Sequence, residues 1–150
     1  MRRALGQALA CTRGTAVIET ALIAPVLAVM AVGTFEAGTM VQKQQELQSA
    51  ASEAEAIILA AAAGSGVDST KLKEMLATST GLPRDNITLA AKFRCNNSDG
   101  FVNSASSCGS GQRAYQFVQA TFKAQYTPTW TKFGLGSAFT YTVTRTIQVG

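Results

Sequence analysis

The sequence predicts an α+β fold: a long amino-terminal helix, transmembrane over its first half, packs its second half on a small antiparallel β-sheet. Three observations predict it. Between Thr15 and Phe35 the only formal charge is Glu19, and the run is close to the ~20 apolar residues that cross a bilayer as a helix. From Glu36 to Ala63 the chain has no proline and is rich in Ala, Gln and Glu, all favourable in a helix. Beyond Asn86, apolar and polar residues alternate with period two over several stretches, as half-buried strands require.

Taken in order, residues 1–14 form a basic leader. They carry Arg2, Arg3 and Arg13 and no acid, so most of the formal charge of +4 on the 150 residues sits there. Because positive charge stays on the cytoplasmic side, this leader is expected in the cytoplasm and everything after residue 36 outside it. The span itself covers residues 15–36, with Pro25 removing one backbone hydrogen bond and Gly33 as a soft point. A cleaved secretory signal fits less well, since Glu19 interrupts the apolar core and no clear small-residue cleavage site is followed by a composition break. A lipoprotein signal at "ALAC" fits poorly too, because the "LGQALA" before Cys11 is short and polar. Glu19 is the anomaly. A carboxylate in hydrocarbon costs about 2.5–3.5 kcal/mol on insertion scales, so an acid inside a span is by default a functional residue.

Residues 37–63 continue the helix as a spine. Met40, Leu47, Ala51, Ala54, Ile58 and Ala61 recur at helical spacing, interrupted by Gln44, and this stripe is expected to pack on the chain's own domain. After "GSG" at 64–66 the composition changes, and residues 67–150 are expected to form the exported α+β domain. "DSTKLKEMLATSTGLP" predicts a short helix capped by Asp68 or Ser69, with Leu72, Met75 and Leu76 on one face and Gly81 and Pro83 ending it. "ITLAAKFRC" and "FTYTVTRTIQV" alternate cleanly, the first placing Ile87, Leu89, Ala91, Phe93 and Cys95 on one side. Between them, "RAYQFVQATFKAQYT" has Val118, Ala120, Phe122, Ala124 and Tyr126 in phase but Tyr115 and Phe117 out of phase, which calls for a bulge or a start that is buried on both sides.

Cysteine usage agrees with export. Cys95 and Cys108 flank a turn-rich segment, and in an oxidising compartment a bridge between them stabilises by about 3 kcal/mol in the chain-entropy model. A metal site lacks ligands, because the chain has no histidine and two thiolates do not complete a zinc shell. Redox chemistry lacks the close Cys-x-x-Cys spacing. The absence of histidine also removes Ser-His and Cys-His pairs, and the short Gly-x-Gly pairs match no phosphate-binding pattern, so catalysis and a cofactor are not expected. Nucleic acid is not expected as a partner, since no Lys/Arg cluster follows residue 14. The "NIT" and "NNS" tripeptides match glycosylation sequons that are too common to weigh.

A basic leader ending in Gly14, then "TAVIETALIAPVL" with a glutamate five residues past that glycine, then "QQELQSAASEAEA" on a helix, resembles the TadE-like pseudopilins of the tight-adherence pilus. The resemblance is strong over residues 13–63 and looser over the carboxyl-terminal domain. It implies a pilin-like fold and cleavage between Gly14 and Thr15 by a prepilin peptidase, with Glu19 the fifth residue of the mature chain. Thr20 stands where the family often has an aromatic residue. The implied partners are that peptidase, other pilin and pseudopilin subunits, the inner-membrane assembly platform and membrane lipid. The implied protein is a single-pass inner-membrane pseudopilin that enters a surface pilus and supports adhesion or biofilm formation. Cleavage exposes an α-amino group at Thr15, which a carboxylate at Glu19 of an adjacent subunit can compensate when helices bundle; the alternative is an interfacial acid whose side chain reaches back to lipid headgroups or to Arg13. The competing reading is a bitopic anchor that displays a disulfide-stapled binding domain and never enters a filament.

Overall fold

The computed structural model describes residues 12–64, 68–96 and 98–150. The leader as far as Cys11, with Arg2 and Arg3, lies outside the described residues, as do residues 65–67 and Asn97 of the second sequon. The chain divides into two compact units that meet between Met40 and Val41.

The first helix, α1, is assigned from Thr12 to Ala63 and continues through Pro25. In the unit ending at Met40, its apolar side chains are exposed on every face: Val17, Leu22, Val26, Val29 and Phe35 all point away from protein. A helix that is apolar all round needs an apolar surrounding, and this one is long and apolar enough to cross a membrane. Three of its hydroxyls are satisfied internally. Thr20, Thr34 and Thr39 donate to the carbonyls of Ala16, Ala31 and Phe35 at 2.8, 2.9 and 3.0 Å, so none of them demands water.

The unit Val41–Gly150 holds the core. Three antiparallel strands, β1 (Ile87–Cys95), β2 (Ala114–Tyr126) and β3 (Phe139–Gln148), lie in the order β1-β2-β3 with the longest strand central. Leu47, Ala51, Ala54 and Ile58 of α1 pack against Ile87, Ala120, Phe122 and Ile147 of the sheet. Ala51, Ala54 and Ala120 are fully buried, so small side chains let helix and central strand approach while Phe122 and Ile58 fill the space beside them. Gln44 of the predicted stripe is exposed.

The second helix, α2 (Ser69–Thr80), completes the core with Leu72 and Leu76. Asp68 caps it by accepting from the Thr70 N–H, and Gly81 ends it in the left-handed region at φ 68°, where a side chain would be strained. Met75 departs from expectation, being half exposed. This short helix buries only its i, i+4 ridge, and Met75, a turn of ~100° away from Leu76, falls outside it.

The phase slip in β2 is not a bulge. β1 pairs with β2 residue for residue from Ile87 with Phe122 to Cys95 with Ala114, and β2 pairs with β3 without a skip from Phe117 with Gln148 to Tyr126 with Phe139. The strand instead starts buried on both sides. Phe117, on the face opposite Val118, is covered by Phe101 edge-on at 5.1 Å and by the Arg94 guanidinium 5.3 Å from its ring. Farther along, that outer face turns polar, with Thr121 and Thr144 hydroxyls paired at 3.2 Å. On β1 the predicted inner row is incomplete, since Ala91 is exposed while Ile87 and Cys95 are buried. The strand is at the sheet's edge, and the helix core covers its Ile87 end.

Candidate functional site

The residues with functional promise fall on two elements. On α1, Gly14 and Thr15 lie within the first turn and a half of the helix, with Glu19 one turn beyond Thr15, about 6 Å along the axis. Glu19 is exposed, and among the described residues it makes no hydrogen bond or ion pair. It therefore stands as an unneutralised acid on an apolar helix, in a position to meet charge supplied from outside the chain.

Glu36 differs. It is 3% exposed, the buried charged side chain among the described residues, and it is engaged rather than free. A carboxylate is buried only when its oxygens find partners, so this position is a structural commitment. In the sequence alone, Glu36 stands merely as the last residue of the span. The signal available was that Glu19 and Glu36 are the only charged residues between Arg13 and Lys43, a second anomaly of the same kind as the first.

Just past Met40 the helix surface becomes charged and solvated. Lys43 donates to Glu46 at 2.7 Å, and Gln42 donates to the same carboxylate at 3.2 Å. The Lys43 hydrogen bond, outweighing what little desolvation the exposed carboxyl feels, holds Glu46 below its ordinary value of 4.5.

In the second unit, Cys95 and Cys108 are bridged, with Cα atoms 5.4 Å apart and 13 positions apart in sequence. The bridge closes a loop that is tied down elsewhere as well. Asn96 adopts φ 48°, and its backbone N–H and side-chain carbonyl reach the Arg113 backbone, each at 2.8 Å. Phe93 and Val102 exchange a pair of backbone hydrogen bonds at 2.8 Å, and Lys92 donates to Asn103 at 2.6 Å. Phe101 reaches back to Phe117, so this loop supplies the second cover that β2 requires. The cysteine pair thus sits in a folded cap of unit Val41–Gly150, while Gly14, Thr15 and Glu19 share the apolar part of α1.

Compared with known proteins, residues 14–55 match the family model described as TadE-like protein. No curated protein and no solved structure matches the chain. The match opens on Gly14, takes in Glu19 and Glu36, and ends on α1 within the stretch that packs against the sheet. Over residues 14–55, which hold Gly14, Thr15 and Glu19, the chain is therefore similar to TadE-like proteins.

Proposed function

We propose that this chain is a non-enzymatic minor pilin, cut between Gly14 and Thr15, held in the inner membrane by α1 with the unit Val41–Gly150 exported, and then built into a pilus that supports adhesion or biofilm formation. The observation that carries the reading is the coincidence of three features on one helix. The family match begins at Gly14, the helix beyond is apolar on all faces, and Glu19 stands in that apolar surface with no partner among the described residues.

The chemistry follows from the last of these. After cleavage the Thr15 α-amino group, with a reference pKa near 7.7–8.0, carries positive charge at about the depth of Glu19. Packed side by side, the helix of one subunit presents its carboxylate to the ammonium of the next, and each charge is neutralised only by the other. Loss of one partner leaves the other buried and uncompensated at a cost of about 3–5 kcal/mol. Glu19 thereby sets both the partner and its register along the helix axis. The peptidase, neighbouring pilin subunits, the assembly platform and lipid are the partners this scheme requires.

The test is the Gly14→Leu variant expressed in cells that make the pilus. A peptidase site fitted to glycine has no room for a branched side chain, so the protein should accumulate uncut in the membrane and be missing from sheared filaments. Mature-size protein from Gly14→Leu, incorporated at wild-type level, would refute the site and favour the bitopic anchor.

A further inference from the structure

The connection between β2 and β3, residues 127–138, is firmly built yet holds apolar side chains in solvent. Pro128 is fully buried, Thr129–Phe133 winds into a 3-10 turn, and Gly134 and Gly136 take φ 75° and 71°. The Gly134 N–H donates to the Thr131 carbonyl at 3.0 Å, and the Trp130 indole lies against Gly136, where even a β-carbon would sit 3.5 Å from its nitrogen. On this frame Phe133 is 78% exposed and Leu135 63%, the two most exposed large apolar side chains among the described residues of the unit Val41–Gly150. Lys132 stands beside them, and residues 127–138 contain no acid.

Their place in the unit is informative. Lys43, Leu47 and Ala50 of α1 line a groove with Ala124 and Gln125, whereas Ile58 and Ala62 line another with Gln116 and Val118. Within this unit α1 thus runs antiparallel to β2, and the loop that follows Tyr126 lies at the end where Val41 enters. Val41 and Phe139, at that same end, are also substantially exposed. The opposite end is capped by the disulfide loop, made largely of Asn, Ser and Gly. Leu59, Met75 and Phe101 are about half exposed elsewhere in the unit, but Phe133, Leu135 and Val41, the three most exposed large apolar side chains among its described residues, all lie at the end that chain continuity tethers to the apolar segment.

We infer that residues 127–138 form a membrane-docking loop, Phe133 and Leu135 entering the headgroup boundary of the bilayer with Trp130 and Lys132 at the polar level. This rests on the reading of α1 as a membrane span. The chemistry matches that interface: an aromatic ring and a leucine for the acyl boundary, an indole whose N–H stays wet, and a lysine whose ammonium reaches the phosphates. A rigid loop loses little conformational freedom on docking, and the tether holds it near the surface. Docking fixes the orientation of the exported unit before assembly.

Trp130 is the single tryptophan of the chain and reports on the loop directly. The full-length protein is placed in phosphatidylethanolamine–phosphatidylglycerol vesicles containing phosphatidylcholine brominated high on its acyl chains. Trp130 emission should be quenched by the bromines and protected from aqueous iodide. In the Phe133→Ser, Leu135→Ser double variant the docked-to-free ratio should fall by about 100-fold or more, from ~1.5 kcal/mol per side chain, and quenching should be lost. Phe133→Leu should retain it. Emission quenched by iodide and indifferent to bromolipid overturns the proposal, as does emission protected from both, which assigns the loop to a protein neighbour or a second copy. A reporter in α1, Leu27→Trp with Trp130→Phe, separates the two claims. If this reporter is quenched by bromines deep in the bilayer while Trp130 is not, only the docking loop fails; if it is not quenched, the span fails and the inference falls with it.

Discussion

Glu19 and Glu36 are the only charged residues between Arg13 and Lys43, yet one is exposed without a partner among the described residues and the other is buried and engaged. The sequence made Glu19 conspicuous because hydrocarbon penalises it. Glu36 escaped notice because at the edge of a span an acid costs little, and its burial depends on folding that no local pattern encodes. Their substitutions should differ accordingly. Glu19→Leu should leave insertion and cleavage intact but abolish surface pili counted by electron microscopy at matched levels of processed protein. Glu19→Asp, which keeps charge but loses reach, should be intermediate, and Glu19→Gln should fall near Leu. Wild-type piliation with Glu19→Leu would remove the pairing mechanism. Glu36→Ala strands the groups that engage the carboxylate and should lower the stability of the full chain in detergent by about 1–3 kcal/mol, read from thermal unfolding. An unchanged transition would contradict a structural role for Glu36. At Glu46, Lys43→Ala should raise the carboxyl pKa toward 4.5 in an NMR titration. Since the folded value is the lower one, any stability this carboxylate adds is present above the unfolded pKa and lost as pH falls through the folded one.

Periodicity located all five main elements, because a helix stripe and a strand alternation are direct consequences of one buried face. It failed where burial was not one-sided. Met75 matches the apolar face of α2 in a wheel, but the helix meets the core along a single ridge. Phe117 breaks the alternation of β2 because the disulfide loop covers the outer face there, and no count along the strand reveals a cover supplied from residues 96–113. Two substitutions test these packings. Ala54→Leu inserts bulk where helix and sheet are closest and should destabilise by about 1–3 kcal/mol, measured by urea unfolding. A cost near zero would mean the contact is looser than the fully buried alanines indicate. The Cys95→Ser, Cys108→Ser double variant should lose about 3 kcal/mol yet still be inserted and cleaved, since the proposed cleavage site lies on α1, away from the bridge. Two free thiols in protein isolated under oxidising, alkylating conditions would rule out the bridge.

At the scale of the whole molecule, α1 carries a long apolar stretch that is exposed among the described residues, and farther along the same helix Leu47, Ala51, Ala54 and Ile58 complete the core of a small folded unit. The two kinds of helix surface were legible in the sequence, because a run with one charge over Thr15–Phe35 and a stripe over residues 47–58 demand different surroundings. The apolar loop at residues 127–138 was not, since Phe133 and Leu135 read as ordinary loop residues until the fold places them at the end where α1 enters. The central claim is that this helix is made to be cut and then packed against its neighbours. Intact-mass spectrometry of the protein purified from the envelope of piliated cells should give a mature chain beginning at Thr15, whereas a chain that retains Met1 would refute cleavage and, with it, assembly through the paired Thr15 amino group.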